Sequence, residues 1–529
     1  MPFIASSLPP FTMKKLLLPA LLLASPLTQA ASTQKPNIVV ILADDLGYGD
    51  VQCNNPERGK IPTPHIDRLA AGGMRFTDGH SSSGVCSPSR YTLLTGRYHW
   101  RSKLQSGIVG QFAAPLITPD RFTIANLAKS HGYRTAAIGK WHLGWNWPIT
   151  SEQRPLLQAT EKKLATADDE SAPQTTPSQK AAWNTIFSQT IPGGPTANGF
   201  DSYFGTDVPN WPPYCFIKND RTVGIPSQFL PNTLFKNHLA SNQGPALPEW
   251  KLEQILPSLA ERATQFVTEA AKSDAPYLLY LPLTSPHTPL AVNNEWQGKS
   301  GLTPYADFVM ETDAVVGRVL DAIEKTSESE NTLVVLTSDN GCASYIGVRE
   351  LEKMGHYPSG PLRGYKTSSW EGGHRVPFMV RWPAMVKPGS ICPQLVQQAD
   401  LMATFAEVLG SKLPEHAGVD SFSLLSLLKG GDQPVRQNAV NCSAGGVPAV
   451  REGSWKLILA QGSGGKGQND TAQPVQLYNI AEDLGETKNL AAEQPERVAQ
   501  MQALLEKLIT DGRSTPGAIQ ANDVDVKRY

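Results

Sequence analysis

Residues 37–43, Asn37-Ile38-Val39-Val40-Ile41-Leu42-Ala43, form an uncharged run rich in β-branched side chains, and this run constrains the fold most. A strand with one face in water alternates apolar and polar residues. An unbroken apolar run marks a strand covered on both faces, as in a parallel sheet between layers of helices. Residues 135–138, 277–283, 332–337 and 378–382 read the same way, and helix-like stretches such as 123–130 and 305–325 lie between them. The alternation predicts an α/β domain with a large mixed, mostly parallel sheet and helices on both faces. Residues 147–200, rich in Ser, Thr, Gln, Ala and Pro, break the pattern and read as an insertion at the strand ends, near the site, with a short helix. A Gly-containing connection at 411–440 leads to strand-like pieces at 449–452 and 455–460 and a helix at about 495–510. These predict a smaller α+β C-terminal domain, an antiparallel sheet plus a terminal helix. The expected division is a leader over 1–30, a main domain over 31–430 and the C-terminal unit over 431–529.

Composition limits the partners. Lys and Arg number 47 against 48 Asp and Glu, for a formal net charge of -1, so bulk electrostatic binding of nucleic acid is not expected. Hydrophobic residues at 40% and charged residues at 18% suit a folded globular chain. Near the N-terminus, Met13-Lys14-Lys15 precedes the apolar stretch 16–24, and small residues follow at Ala30-Ala31. This is the pattern of a secretory signal cut after Ala30, with Met13 a better start than Met1. The stretch is shorter than the roughly 20 residues needed to span a bilayer, and no other membrane span is expected. The protein is therefore expected to be exported, periplasmic or secreted. The six cysteines, at 53, 86, 215, 342, 392 and 442, show no CxxC spacing, which disfavours a zinc ribbon or dithiol redox site. Apart from Cys86, they read as buried thiols or structural disulfides, which the sequence cannot pair.

Three of the strand-like runs end in polar clusters: Asp44-Asp45, Gly139-Lys140-Trp141-His142 and Ser338-Asp339-Asn340-Gly341. Ligands of open parallel sheets bind beyond the carboxyl ends of the strands. Three carboxylates and an amide there make an oxygen-rich site suited to a hard cation, Ca²⁺ or Mg²⁺. Any one such Asp is more often a cap or turn residue. In Cys86-Ser87-Pro88-Ser89-Arg90, Pro88 fits the first turn of a helix and places Cys86 at its N-terminus, where anions are attracted. Taken alone, that pattern is weak.

Together with Leu93-Leu94-Thr95-Gly96-Arg97, however, the Cys86 block resembles the signature of the formylglycine-dependent sulfatases, members of the alkaline-phosphatase-like superfamily. Other blocks resemble that family in order: 40–47 around Asp44-Asp45, 63–70, Gly139 to Gly144, Ser285-Pro286-His287-Thr288-Pro289, 337–341, 362–366 and 370–377. Trp455-Lys456-Leu457 and Leu477-Tyr478-Asn479 resemble the family's ending. Ala403 stands where the family usually has Pro, and Ser421 where Gly is common. The resemblance spans nearly all of the chain after the leader.

It implies that a maturation enzyme oxidises Cys86 to formylglycine (3-oxoalanine). The hydrated aldehyde attacks sulfur and then expels sulfate by collapsing back to the aldehyde, which splits one hard step into two. It also implies Ca²⁺, rather than Mg²⁺, held by Asp44, Asp45, Asp339, Asn340 and modified Cys86. Arg90 would stabilise the modified residue, and Lys140 and Lys366 would contact the sulfate oxygens. His287 with Lys366 would assist departure of the alcohol, and His142 would take the proton that releases sulfate. Asp207, Asn210, Trp211 and Arg101 are the candidate substrate contacts, whereas His65 and His374 read as structural. The substrate expected is a sulfated sugar or aryl sulfate, and the blocks around Cys86 most resemble sulfatases of galactose-type 6-sulfates. The alternatives are a phosphonate or phosphate monoester hydrolase of the same superfamily, and a non-catalytic relative that binds sulfated glycans. Every expected catalytic position is filled, which disfavours the last.

Overall fold

A computed structural model describes residues 1–10, 35–159, 172–235, 241–465 and 473–528. Residues 1–10 carry no regular structure, and the apolar stretch and cut site of the expected leader lie outside the described residues. From Lys35 on, the chain is one compact unit.

Its main sheet contains β1 (Asn37–Ala43), β2 (Met74–His80), β3 (Arg134–Lys140), β4 (Ser202–Thr206), β5 (Ile217–Lys218), β6 (Arg221–Thr222), β7 (Tyr277–Pro282), β8 (Thr332–Ser338), β9 (Phe378–Arg381) and β10 (Ser390–Gln397). The order across it is β10-β2-β9-β8-β1-β7-β3-β4-β5-β6. The centre, β8-β1-β7-β3-β4, is parallel throughout. β9 runs antiparallel to both β8 and β2, and the short β5 and β6 close the other edge antiparallel. The sheet is mixed and mostly parallel, as the apolar runs imply.

Both faces of β1 are covered, which is why its sequence does not alternate. Ile38, Val40 and Leu42 enter one core, Val39, Ile41 and Ala43 the other. Helices α1 (Pro64–Ala71), α2 (Cys86–Thr95), α3 (Ile124–Ser130), α4 (Pro177–Phe187), α5 (Ile255–Ala270) and α6 (Pro304–Glu324) form the layers. α2 and α3 pack on the first core, and α1, α5 and α6 on the second. Thr123 starts α3 with a capping box, and the Thr303 side chain caps α6. Such caps contribute about 1 kcal/mol each by satisfying free helix N–H groups. The 147–200 stretch adds α4, whose Trp183 is fully buried in the first core and donates to the Leu156 carbonyl at 2.9 Å.

The strands β11 (Asn438–Cys442), β12 (Pro448–Glu452), β13 (Trp455–Ile458) and β14 (Gln476–Asn479) make an antiparallel meander. The helix Pro495–Asp511 covers one face, burying Met501, Leu505 and Leu508 against Val440, Val450, Leu457 and Leu477. Trp370 of the main domain packs with Ala449, Ile458 and Tyr478, in a separate apolar cluster. All six cysteines are free thiols.

Candidate active site

The sheet order explains why distant segments meet. β8, β1, β7 and β3 are consecutive neighbours, so their carboxyl ends form one row. Backbone bonds extend the pairing past the strands: Asp44 N–H donates to the Ser285 carbonyl and Asp339 N–H to the Ala43 carbonyl, both at 3.0 Å. Asp44-Asp45, the His287 loop, Asp339-Asn340 and Lys140 are thereby brought together. Gly139 has φ 139°, and a Cβ there would lie 1.8 Å from the Pro282 carbonyl oxygen. Only glycine lets β3 approach β7 this closely beside Lys140.

Cys86 is the first residue of α2, buried, with Sγ 3.7 Å from Asp44 Oδ1. Arg90 lies one turn on, so it shares the same helix face. Its Nε and Nη2 donate to Asp339 Oδ2 at 3.0 and 2.7 Å, and Nη1 donates to the Lys140 carbonyl at 3.0 Å. Lys140 Nζ is 2.7 Å from Asp44 Oδ2, and Lys366 Nζ is 2.7 Å from Asp45 Oδ2. Three buried carboxylates thus face three buried cations. Desolvation alone would raise the Asp44 carboxyl, yet Lys140, His287, Arg90 and Lys366 hold it well below the ordinary range. Asp339 goes the other way, pushed up to about 6 by burial and by Asp44 beside it. The Cys86 thiol is pushed up to about 12, chiefly by burial. That outweighs the helix N-terminus, which on its own would lower it.

Asp45 adopts a left-handed backbone, φ 67°. It is held there by its N–H on Asp339 Oδ1 at 3.2 Å and by Asn340 Nδ2 donating to its Oδ1 at 2.7 Å. Behind it the Tyr305 hydroxyl lies 3.2 Å from the Asp45 carbonyl oxygen and donates to Asp50 Oδ2 at 2.5 Å. His356 Nε2 sits 2.9 Å from Asp50 Oδ1. Sequence reasoning missed this Tyr305–Asp50–His356 support. The only signal for it was an acid five residues beyond Asp45.

The donor set fits a divalent cation. One ligand atom each from Asp44, Asp45, Cys86 and His287 lie within 4.8 Å of one another. Asn340 Oδ1 is buried with no hydrogen-bond partner among the described residues, which leaves a carbonyl-type oxygen available beside the carboxylates. With the three Asp and three Lys/Arg charges balanced, a divalent ion would leave the floor net positive and suited to an anionic ester. A second cluster, His80, Glu371 and His374, is different. Lys456, Arg375 and Arg451 lie 2.9, 3.2 and 3.6 Å from Glu371, so it is a buried ion-pair network linking the small sheet to the main domain.

Cys86, His142, His287 and Lys366 line a cavity of about 470 Å³, together with Val85, Ile108, Val208, Asn210, Trp211 and Tyr345. Small residues of the C-terminal domain, Ala444, Gly445, Gly464 and Gly465, also line it. Of the four candidate substrate contacts, Asn210 and Trp211 are there, and the Trp211 ring meets the His142 ring edge-on at 5.6 Å. Asp207 is not among the described lining residues. It accepts from Trp145 Nε1 at 3.2 Å, and its carbonyl accepts the His142 N–H at 3.1 Å, so it underpins His142; burial pushes its carboxyl up to about 6. Arg101 needs correction. Its guanidinium is fully buried against Asp420 at 2.9 Å, with Nη1 on the Leu508 carbonyl at 2.8 Å, because the turn after α2 faces the C-terminal helix and not the cavity. Arg101→Ala is expected to cost about 3 kcal/mol of stability by removing the cation paired with buried Asp420, to which only the Tyr98 N–H and the Ser514 hydroxyl would still donate among the described side-chain contacts. Denaturant unfolding reads that loss, and an unchanged KM separates it from a substrate contact. Neither His65 nor His374 is among the described lining residues: the His65 ring packs on Gly317 of α6, and His374 Nδ1 lies 3.0 Å from His80 Nδ1.

Residues 36–411 match the sequence model of the family described as Sulfatase. An N-acetylgalactosamine-6-O-sulfatase of Bacteroides thetaiotaomicron is 32% identical over 492 residues, covering 90% of this chain and 94% of that protein. Human arylsulfatase A is 30% identical over 486 residues, covering 87% and 84%. A solved structure described under the metabolism of multiple glycosaminoglycans by Bacteroides thetaiotaomicron superposes with a TM-score of 0.76 at 29% identity, covering 90% of this chain and 99% of that one. Among the described residues no helix is long and apolar enough to cross a membrane.

Proposed function

Since the chain belongs to the sulfatase family, and is a sulfuric ester hydrolase, we propose that it removes sulfate from a sulfated carbohydrate of the galactose or N-acetylgalactosamine 6-sulfate type. The observation that carries this is the cavity floor, where Cys86, balanced carboxylates and cations, and two neutral histidines converge. The N-acetylgalactosamine-6-O-sulfatase activity of a relative covering most of both chains supports the sugar class.

A thiol pushed up to about 12 is a poor nucleophile at neutral pH. Oxidation of Cys86 to formylglycine by a maturation enzyme would supply an aldehyde hydrate hydroxyl there. We read Asp44, Asp45, Asp339 and Asn340, with modified Cys86, as the holders of Ca²⁺. When bound, the ion would lower the pKa of that hydroxyl and offset sulfate charge. Lys140 and Lys366 would then donate to the sulfate oxygens, while Arg90 keeps Asp339 and the Lys140 backbone in place.

The histidine roles follow from their partners. His142 Nε2–H donates to the Val109 carbonyl at 3.1 Å, which leaves Nδ1 as its basic atom. That Nδ1 is buried without a partner among the described residues, and burial together with Lys140 and Arg90 keeps the ring neutral. Its lone pair is therefore open to a proton, and the ring becomes a stronger base once an anion beside it offsets Lys140 and Arg90. His287 Nδ1–H donates to the Thr288 carbonyl at 2.5 Å, so Nε2 faces the site, and burial pushes its pKa down to about 4. Burial also opposes the charge on Lys366, but Asp45 beside it holds the pKa well above the ordinary lysine value. Lys366 is thus a fixed positive charge beside the departing alcohol, and His287, whose Nε2 lies 3.7 Å from Asp45 Oδ2, would assist that departure with it. His142→Ala is expected to lower kcat by about 10²–10³-fold with KM little changed, read at saturating substrate.

Sulfate release from a panel of sulfated monosaccharides tests the reading as a whole. Faster hydrolysis of the phosphate ester than the sulfate ester of the same alcohol would sink it in favour of a phosphate monoester hydrolase. We also read the protein as exported with cleavage after Ala30, which N-terminal sequencing of exported material checks.

A further inference from the structure

Tyr345 lies on the turn Ser344–Ile346, just beyond the Asp339-Asn340 end of β8. Among the described Phe, Tyr and Trp residues from 35 on, it alone is exposed, at 52%. A single exposed ring is ordinary on a protein surface, so it is the place of this one, and not its exposure, that gives it meaning. This one lines the same cavity as Cys86, Lys366 and Trp211. About half of the side chain is in solvent, and the rest is turned to the cavity it lines. A ring that is half exposed and lines the cavity stands at its rim. Trp211, packed on the His142 ring, supplies a second aromatic wall. An anchored sulfate places the ring of its alcohol between floor and mouth, and the weakly polar C–H face of a sugar packs well on aromatic rings.

We propose that Tyr345 is a specificity residue that grips the sugar ring at the cavity mouth together with Trp211. This rests on the carbohydrate reading above. Tyr345 contacts the part of the substrate away from the sulfate and takes no part in bond breaking.

The test uses full-length mature protein with Cys86 converted. KM and kcat are measured on N-acetylgalactosamine 6-sulfate, and the inhibition constant on inorganic sulfate, which occupies only the floor. Tyr345→Ala should raise KM for the sugar about five- to tenfold, with kcat and the sulfate inhibition constant within twofold. Tyr345→Phe, which keeps the ring, should restore most of the affinity. An unchanged KM in Tyr345→Ala overturns the role of Tyr345 and leaves the carbohydrate reading standing. A parallel loss of KM and sulfate inhibition also overturns it, because a collapsed floor and not a lost sugar contact explains both. A wild-type enzyme that turns over 4-nitrophenyl sulfate but no sulfated monosaccharide overturns the carbohydrate reading, and the sugar role of Tyr345 with it.

Discussion

Cys86→Ala is expected to abolish turnover, lowering kcat/KM by at least about 10⁴-fold, because nothing else on the cavity floor can replace the nucleophile. The neighbours of Cys86 are already committed. Asp44 is paired with Lys140, Asp339 with Arg90 and Asp45 with Lys366. Ser87 Oγ accepts from the Val109 N–H at 3.1 Å, away from the carboxylates. The variant should fold, since a small side chain at the first position of α2 leaves these ion pairs intact. The same position carries a second readout. In a host able to mature it, the peptide spanning Cys86 should lose about 18 Da, the difference between a thiol and an aldehyde side chain. Retention of activity within tenfold in Cys86→Ala would remove the covalent reading. An unmodified thiol in fully active protein would remove formylglycine.

Metal removal is the second large effect. Dialysis against a chelator should lower activity at least about 100-fold, with Ca²⁺ restoring it better than Mg²⁺. Binding should also be visible without catalysis. At 100 times its dissociation constant a ligand of the folded state adds about 2.7 kcal/mol of stability, so Ca²⁺ should raise the unfolding temperature. Asn340→Ala separates metal binding from ion pairing. Replacing Asp339 would strand the buried Arg90 guanidinium and destabilise the protein for that reason alone. Asn340 is neutral, and its Oδ1 has no hydrogen-bond partner among the described residues, so its loss leaves the charges balanced. Asn340→Ala should weaken Ca²⁺ by at least about tenfold, seen as a smaller thermal shift at fixed Ca²⁺. An undiminished shift would place the ion elsewhere.

Much of this was legible in the chain itself. The unbroken apolar runs required a sheet buried on both faces, and β1, β3, β7 and β8 lie at or beside its centre. The polar residues that end those runs are the ones that meet, because they are attached to strands whose carboxyl ends share one edge. Cys86 and Arg90, four residues apart on one helix, were bound to point the same way. β2 was not legible. Arg75, Thr77 and Asp78 interrupt it, since near the sheet edge Met74 and Phe76 enter the first core while Arg75 and Thr77 on the other face are only half-buried.

Within a single block, residue type did not reveal direction. Asp207 supports His142 from behind while Asn210 and Trp211 line the cavity, although five consecutive positions hold all three. Arg101 looked like a charge available to substrate, yet it is locked to Asp420, more than three hundred residues away in sequence. Tyr345 carried no signal at all. The sequence by itself determined the kinds of group available and the strand ends that carry them, because periodicity and motif spacing act over a few residues. Which groups face the cavity, which are neutralised and which face of a ring stays in water was decided only by the tertiary structure, since those outcomes depend on burial and on partners from distant segments.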